Sequence, residues 1–278
     1  MPRTRMLLLA PLALAAQLAL AGTTFAAIPG HDGVTTGGSN AGHGGHGGGG
    51  GGGGQSIGYD ISWPQCGGAY PANPKFGVVG VNRGKAFSAN PCLAIEIAWA
   101  GGALGQLYAN TGNPGPALSS FWPSGQTTPR YCDPSNLDTA DCAFDYGFNA
   151  AQDSFVTASA GYAEIGLTGS PAGTRWWLDV ETGNSWRSNT SLNVAALQGE
   201  IAYLHDTAGV ASIGVYSTQY QWNTITGGSL AFDANPSWVA GASSLKAAQD
   251  RCALPSFTGN ANVYTQYPSQ GFDANFAC

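Results

Sequence analysis

The order of residues predicts an α/β protein closed into a (β/α)8-type barrel. Two observations carry this. From Ile57 to Cys278 the chain repeats a short β-rich run, a small-residue turn and a stretch of helical character, and eight such runs can be counted. All six cysteines fall inside the same stretch, so the barrel is expected to be disulfide-stabilised. An open doubly wound sheet is the other arrangement compatible with the alternation.

Met1–Arg5 carries two arginines, and Met6–Ala21 is apolar except for Pro11 and Gln17, the pattern of a secretory signal peptide assigned to residues 1–27. Cleavage after Ala21, Ala26 or Ala27 satisfies the small-residue rule equally. An uncleaved anchor is disfavoured by the short, interrupted run, so no stable membrane insertion is expected after cleavage. Residues 28–56 are largely glycine, with an unbroken run at Gly47–Gly54, and read as a disordered tether spanning roughly 30 Å for about 29 residues. Its His31, His43 and His46 are read as spacer composition rather than a metal site.

The folded part is residues 57–278. The expected strands are Gly58–Ser62, Phe76–Asn82, Gly105–Asn110, Arg175–Glu181, Ser212–Ser217, Ser237–Ala242, Asn262–Tyr267 and Gly271–Phe276. Val194, Leu197, Ile201 and Leu204 recur at helical spacing within Asn193–Ala208, with Ser191 or Asn193 as the cap and Gly209 as the stop. Leu93–Ala100 and Phe144–Tyr162 also read as helices, and Tyr220–Ile225 is marginal. Pro114 and Pro116 oppose a helix directly after the third strand, which leaves residues 113–142 as a long excursion. Such a loop in a compact domain is commonly functional.

The net charge of −6 and pI of about 4.9 exclude the basic footprint of a nucleic-acid binder. An even cysteine count in an exported chain argues for three disulfides among 15 possible connectivities. Proximity in sequence and in the barrel favours Cys66 with Cys92, Cys132 with Cys142, and Cys252 with Cys278. Zinc is disfavoured because there is no Cys-x-x-Cys pair and His205 is the sole histidine outside the tether, so no metal and no cofactor are expected. His205 lies in a helical stretch without a nucleophile elbow, which argues against a serine hydrolase.

Trp177-Leu178-Asp179-Val180-Glu181 is a hydrophobic strand ending in two acids one residue apart. Side chains two apart on a strand share a face, with Cα atoms roughly 6.5 Å apart, and barrel sites are built at the C-terminal strand ends. Two carboxyl groups so placed suit glycosyl transfer, one protonating the leaving oxygen and one opposing the developing positive charge. The alternative is an acid pair that caps the next helix. Asp60 lies in the first strand, sharing a face with Gly58 and Ser62, and Asp273 shares a face with Asn275 in the last. First and last strands are neighbours in a closed barrel, so Asp60, Asp179, Glu181 and Asp273 can meet at one mouth.

Asp60-Ile61-Ser62 followed by Gln65, Leu178-Asp179-Val180-Glu181, Val215-Tyr216-Ser217, Trp238-Val239-Ala240, Gln266-Tyr267 and Asp273-Ala274-Asn275 occur in this order. In these segments the chain resembles the family 25 glycoside hydrolases, lysozyme-like muramidases on an irregular, TIM-like β/α barrel, over most of residues 57–276. The resemblance implies that Glu181 is the general acid, that Asp179 assists the substrate N-acetyl group or the oxocarbenium-like state, and that Asp60 and Asp273 complete an acidic pocket. Departures are Val81-Asn82-Arg83-Gly84-Lys85 after the second strand, Asn110 where a His is common, and Thr265 where a Trp often precedes Gln-Tyr.

Trp63, Gln65, Tyr108, Trp186, Tyr216, Gln266 and Asn275 are the expected substrate-binding residues. Trp63 and Trp186 follow key acids within a few residues and are the favoured ligand contacts among the tryptophans, whereas Trp238 reads as core. Arg83 and Arg187 either meet acidic groups on a polymer or form ordinary salt bridges. The expected function is a secreted, monomeric glycosidase acting on a β-linked N-acetylhexosamine polymer, with peptidoglycan or another cell-wall polysaccharide as partner. Its rivals are a catalytically weak domain that binds wall glycan or a surface partner, and a structural surface protein.

Overall fold

A computed structural model describes residues 57–278; the expected signal peptide and tether lie outside the described residues. Eight strands close into one barrel in sequence order: β1 (Ile57–Ile61), β2 (Gly77–Gly80), β3 (Gln106–Asn110), β4 (Trp176–Asp179), β5 (Ile213–Ser217), β6 (Ser237–Val239), β7 (Asn262–Ser269) and β8 (Phe272–Ala277). All eight expected runs are strands. The pairs from β1–β2 through β6–β7 are parallel.

The barrel is irregular at its closing end, where β8 runs antiparallel to both β7 and β1. The cause is local. Ser269 pairs with Phe272 across Gln270-Gly271, both at positive φ, a two-residue hairpin turn that leaves no room for a crossover helix.

Helices α1 (Leu93–Trp99), α2 (Ala140–Glu164), α3 (Thr190–Ala202), α4 (Gln219–Thr226) and α5 (Leu245–Arg251) follow strands β2 to β6. The helix expected from Asn193 begins three residues earlier, because the Asn189 side chain accepts from Ser191 N–H. Its last turn widens to π-helix at Tyr203–Thr207, before Gly209 at positive φ. The α2 helix starts at Ala140, capped by Thr139, within what the sequence assigns to the excursion. The short α5 is capped by Ser244, and its single buried residue, Ala248, gives too little periodicity to be read from sequence.

Strand alternation divides the apolar residues between two layers. Ile61, Val79, Leu107, Leu178 and Val215 face outward and pack with Leu93 and Ile97 of α1, Ala158 of α2 and Leu197 of α3. Val78, Trp177, Trp238 and Tyr264 form a second cluster flanked by Tyr108 and Tyr216. This aromatic plug fills the barrel, so chemistry is confined to its ends. Trp238 is 1% exposed, in keeping with its reading as core.

Helices α2 and α3 cross through glycine. A Cβ on Gly147 would lie 1.9 Å from Ala196 O, and one on Gly199 2.0 Å from Phe144 O, so the contact is backbone against backbone. The disulfides are Cys66–Cys92, Cys132–Cys142 and Cys252–Cys278, the pairing favoured above. Among the described residues no helix is long and apolar enough to cross a membrane.

Candidate active site

The inward positions at the C-terminal strand ends are polar, in contrast to the plug beneath them. Asp60 stands opposite Asp273 across β1–β8, Asn110 opposite Asp179 across β3–β4, and Asp179 opposite Tyr216 across β4–β5. Together with Glu181, just beyond β4, these acids line one pocket with Trp63, Tyr108 and Gln266. The four acids are thus brought to one mouth. Gly80 makes room for this, since a Cβ there would lie 2.7 Å from the Tyr108 ring and 2.6 Å from Ser62 Cβ.

Each acid is held differently. Asp60 Oδ1 accepts from Asn275 Nδ2 at 2.7 Å and Gln266 Nε2 at 3.1 Å, while Gln266 Oε1 accepts from Tyr216 O–H at 2.8 Å. Burial, reinforced by the nearby Asp273 charge, raises the Asp60 pKa to about 7 against the pull of those amides. Asp179 is 4% exposed; Asn110 Nδ2 donates to its Oδ2, and its buried Oδ1 has no partner. Burial first, then the charges of Glu181 and Asp60, hold its carboxyl well above the ordinary range. Glu181 is half-buried and also raised, by burial and by Asp273, with Gln221 opposing. Burial raises Asp273 as well.

Among the expected ligand contacts, Trp63, Tyr108, Tyr216 and Gln266 line the pocket. Trp63 is 38% exposed and carries the Arg83 guanidinium 5.3 Å from its ring centre. Three others lie outside the lining, in supporting positions. Gln65 Oε1 accepts from Ser62 N–H at 2.9 Å, closing a capped turn after β1. Trp186 Nε1 donates to Glu181 O at 2.7 Å and so braces the acid's backbone. Asn275, fully buried, bridges Asp60 and Trp238 Nε1. Proximity to an acid in sequence therefore marks residues that hold its main chain as readily as residues that face its ligand.

Ser62, Gly84 and Asn110 also line the pocket. Strand parity exposes Ser62 and Asn110 to sequence reasoning, since they share a face with Asp60 and Tyr108; nothing local marks Gly84. Thr265 does not wall the site, because it is buried and donates to Ala248 O of α5. Arg187 is half-buried in a 2.7 Å salt bridge to Asp138, which ties the excursion to the loop after β4. Among the described residues no cluster of three or more His, Cys, Asp or Glu side chains has the form of a metal site.

Residues 166–250, less than half of the chain, match the family model described as Lysozyme-like protein 1; the match contains Asp179 and Glu181. No curated protein sequence matches. Among solved structures, the modular autolysin LytC from Streptococcus pneumoniae is similar at TM-score 0.50 and 14% identity, covering 80% of this chain and 46% of that one. A muramidase from Trichobolus zukalii is similar at TM-score 0.49 and 18% identity, covering 80% and 93%. A family GH25 lysozyme from Aspergillus fumigatus is similar at TM-score 0.48 and 16% identity, covering 81% and 94%. At 14% identity the likeness to the autolysin speaks for the fold alone. The matched segment is similar to the lysozyme-like family model, and the barrel is similar in fold to that of the autolysin.

Proposed function

We propose that this protein is a secreted glycoside hydrolase that cleaves a β-linked N-acetylhexosamine polymer, with peptidoglycan as its substrate. The observation that carries the reading is the pairing of Glu181 with the more deeply buried Asp179 at the mouth of a plugged barrel. Desolvation and mutual repulsion make it costly to ionise both carboxyl groups, so the pair retains a proton where isolated acids have lost theirs. Glu181, the more accessible member, gives that proton to the glycosidic oxygen as the C–O bond breaks, and takes one back from the attacking water. Asp179, ionised, opposes the positive charge on the sugar or orients the N-acetyl group that attacks the anomeric carbon.

Asp60 and Asp273 complete the acidic pocket, and where they ionise, above their raised pKa values, their charge favours an oxocarbenium-like state over a neutral ground state. Tyr216, Gln266 and Asn275 set the orientation of Asp60. Export to the cell exterior is supported by the leader composition and by three disulfides with no free cysteine among the described residues.

The test is release of reducing ends from purified cell wall. Wild type should release them, and Glu181→Gln should be slower by about 10²–10⁴-fold, the usual contribution of a positioned general acid. Wall binding without release by wild type would replace the enzyme reading with that of a glycan-binding domain.

A further inference from the structure

The start of α4 brings a side chain to Glu181 that the lining of the acid pocket does not include. Thr218 Oγ1 caps the helix by accepting from Gln221 N–H at 3.1 Å. The next residue, Trp222, is fully buried, with its ring 5.2 Å from Phe232 and 5.5 Å from Phe257. The backbone of Gln221 is therefore fixed by a cap on one side and by the core on the other. Its half-buried side chain turns toward the residues after β4, where Oε1 accepts from Thr182 N–H at 2.6 Å and from Thr182 Oγ1 at 3.2 Å. Helical periodicity in Tyr220–Ile225 is marginal and places none of this, because the contact needs β4 and β5 side by side.

A backbone N–H can only donate, so Thr182 decides which end of the Gln221 amide carries the oxygen. Nε2, which can only donate, is left for another partner. Thr182 follows Glu181 directly, and the Gln221 side chain hydrogen-bonds the Glu181 carboxyl, with Nε2 as the donor. The main chain of Glu181 is held as well, its carbonyl accepting from Trp186 Nε1 at 2.7 Å and Asn184 N–H at 3.1 Å.

The titratable groups that share the pocket with Glu181 are Asp179 on β4, Asp60 on β1, Asp273 on β8 and the hydroxyls of Tyr108 and Tyr216 on β3 and β5, while the Arg83 guanidinium lies over Trp63 at the rim. Gln221 favours the ionised form of Glu181 against burial and the Asp273 charge. We propose that Gln221 is a positioning residue for Glu181: its amide, turned by Thr182, fixes the direction of the carboxyl and stabilises the carboxylate left when the proton passes to the glycosidic oxygen. That last step rests on the glycosidase reading; the hold on the carboxyl does not.

The experiment compares the whole chain with Gln221→Met and Gln221→Glu through pH profiles of kcat/KM on soluble peptidoglycan fragments. Gln221→Met keeps the length of the side chain and removes the donor; Gln221→Glu keeps an oxygen for Thr182 N–H and sets a carboxylate against Glu181. Losing a donor to a carboxylate raises the pKa of the acid, and the basic limb reports loss of the proton from the acid pair. The limb should move to higher pH by about one unit in Gln221→Met and at least as far in Gln221→Glu. An unmoved limb in Gln221→Met overturns the proposal whatever Gln221→Glu does, and leaves Gln221 as a tie between α4 and the turn after Glu181. If the wild type cleaves nothing, the glycosidase reading fails. In that case, or should Gln221→Met fail to fold, NMR titration of the wild type decides. The Gln221 side-chain amide should then titrate with the same midpoint as the Glu181 carboxyl carbon, and an amide that ignores that titration overturns the hold.

Discussion

Asp179 has one carboxylate oxygen against the Asn110 amide and the other buried without a partner. The amide favours the ionised form, and everything else around the carboxyl opposes it. Replacing Asn110 with Leu removes the only side-chain donor and should push the Asp179 pKa higher. If Asp179 works ionised, the acidic limb of the kcat/KM profile moves to higher pH, by about one unit or more for a hydrogen bond to a charged group. An unmoved limb would release Asp179 from that role. At this scale the sequence was legible where parity decides: Asp60, Asp179 and Asp273 face inward as alternation requires. Parity gives the face of Asn110 but not its partner, because the pairing with Asp179 across β3–β4 is set by register. Gln65 and Trp186 look like ligand contacts in sequence and hold main chain in the fold.

Helices α2 and α3 meet where Gly147 and Gly199 admit the neighbouring backbone. Gly147→Ala would put a methyl into Ala196 O, and the helices must part. The expected cost is about 1–3 kcal/mol or more despite the better helix propensity of alanine, seen as a lower Tm, and a variant as stable as wild type would contradict the crossing. The excursion is a separate case. Its disulfide closes a loop with a sequence separation of 10 residues, so Cys132→Ser with Cys142→Ser should cost about 3 kcal/mol in denaturant unfolding if chain entropy dominates. Strongly periodic α3 was legible in sequence. The small-residue face of α2 and the single buried residue of α5 carry no comparable periodic signal, and their boundaries were set by caps and packing.

Across the whole molecule the buried carboxyl groups act in one direction. Asp60, Glu96, Asp145, Asp179, Glu181, Glu200 and Asp273 are all raised, each with burial as the leading cause; Asp60 is near 7 and Asp145 near 6. Between the ordinary carboxylate range and these values the folded state binds more protons than the unfolded one. The slope of unfolding free energy with pH is then negative, and stability is lost as pH rises through roughly 4 to 7. Thermal melts should give a higher Tm at pH 5 than at pH 8, and Asp60→Asn should flatten part of that slope. A Tm that rises over this interval would show these acids to be ionised at little cost.

Strand number and the inward faces of Asp60, Asp179 and Asp273 could be read from residue order, because alternation and helical spacing are local properties. Closure into a barrel and the favoured cysteine pairing, one of 15, were fixed only by the fold. The antiparallel closing strand, the aromatic plug and the glycine crossing came only with the tertiary structure. Each depends on which distant backbones touch. The raised acid pKa values belong with these, for no segment of the chain desolvates its own carboxyl group: the Asp60 environment is assembled from Gln266, Asp273 and Asn275, more than 200 positions away.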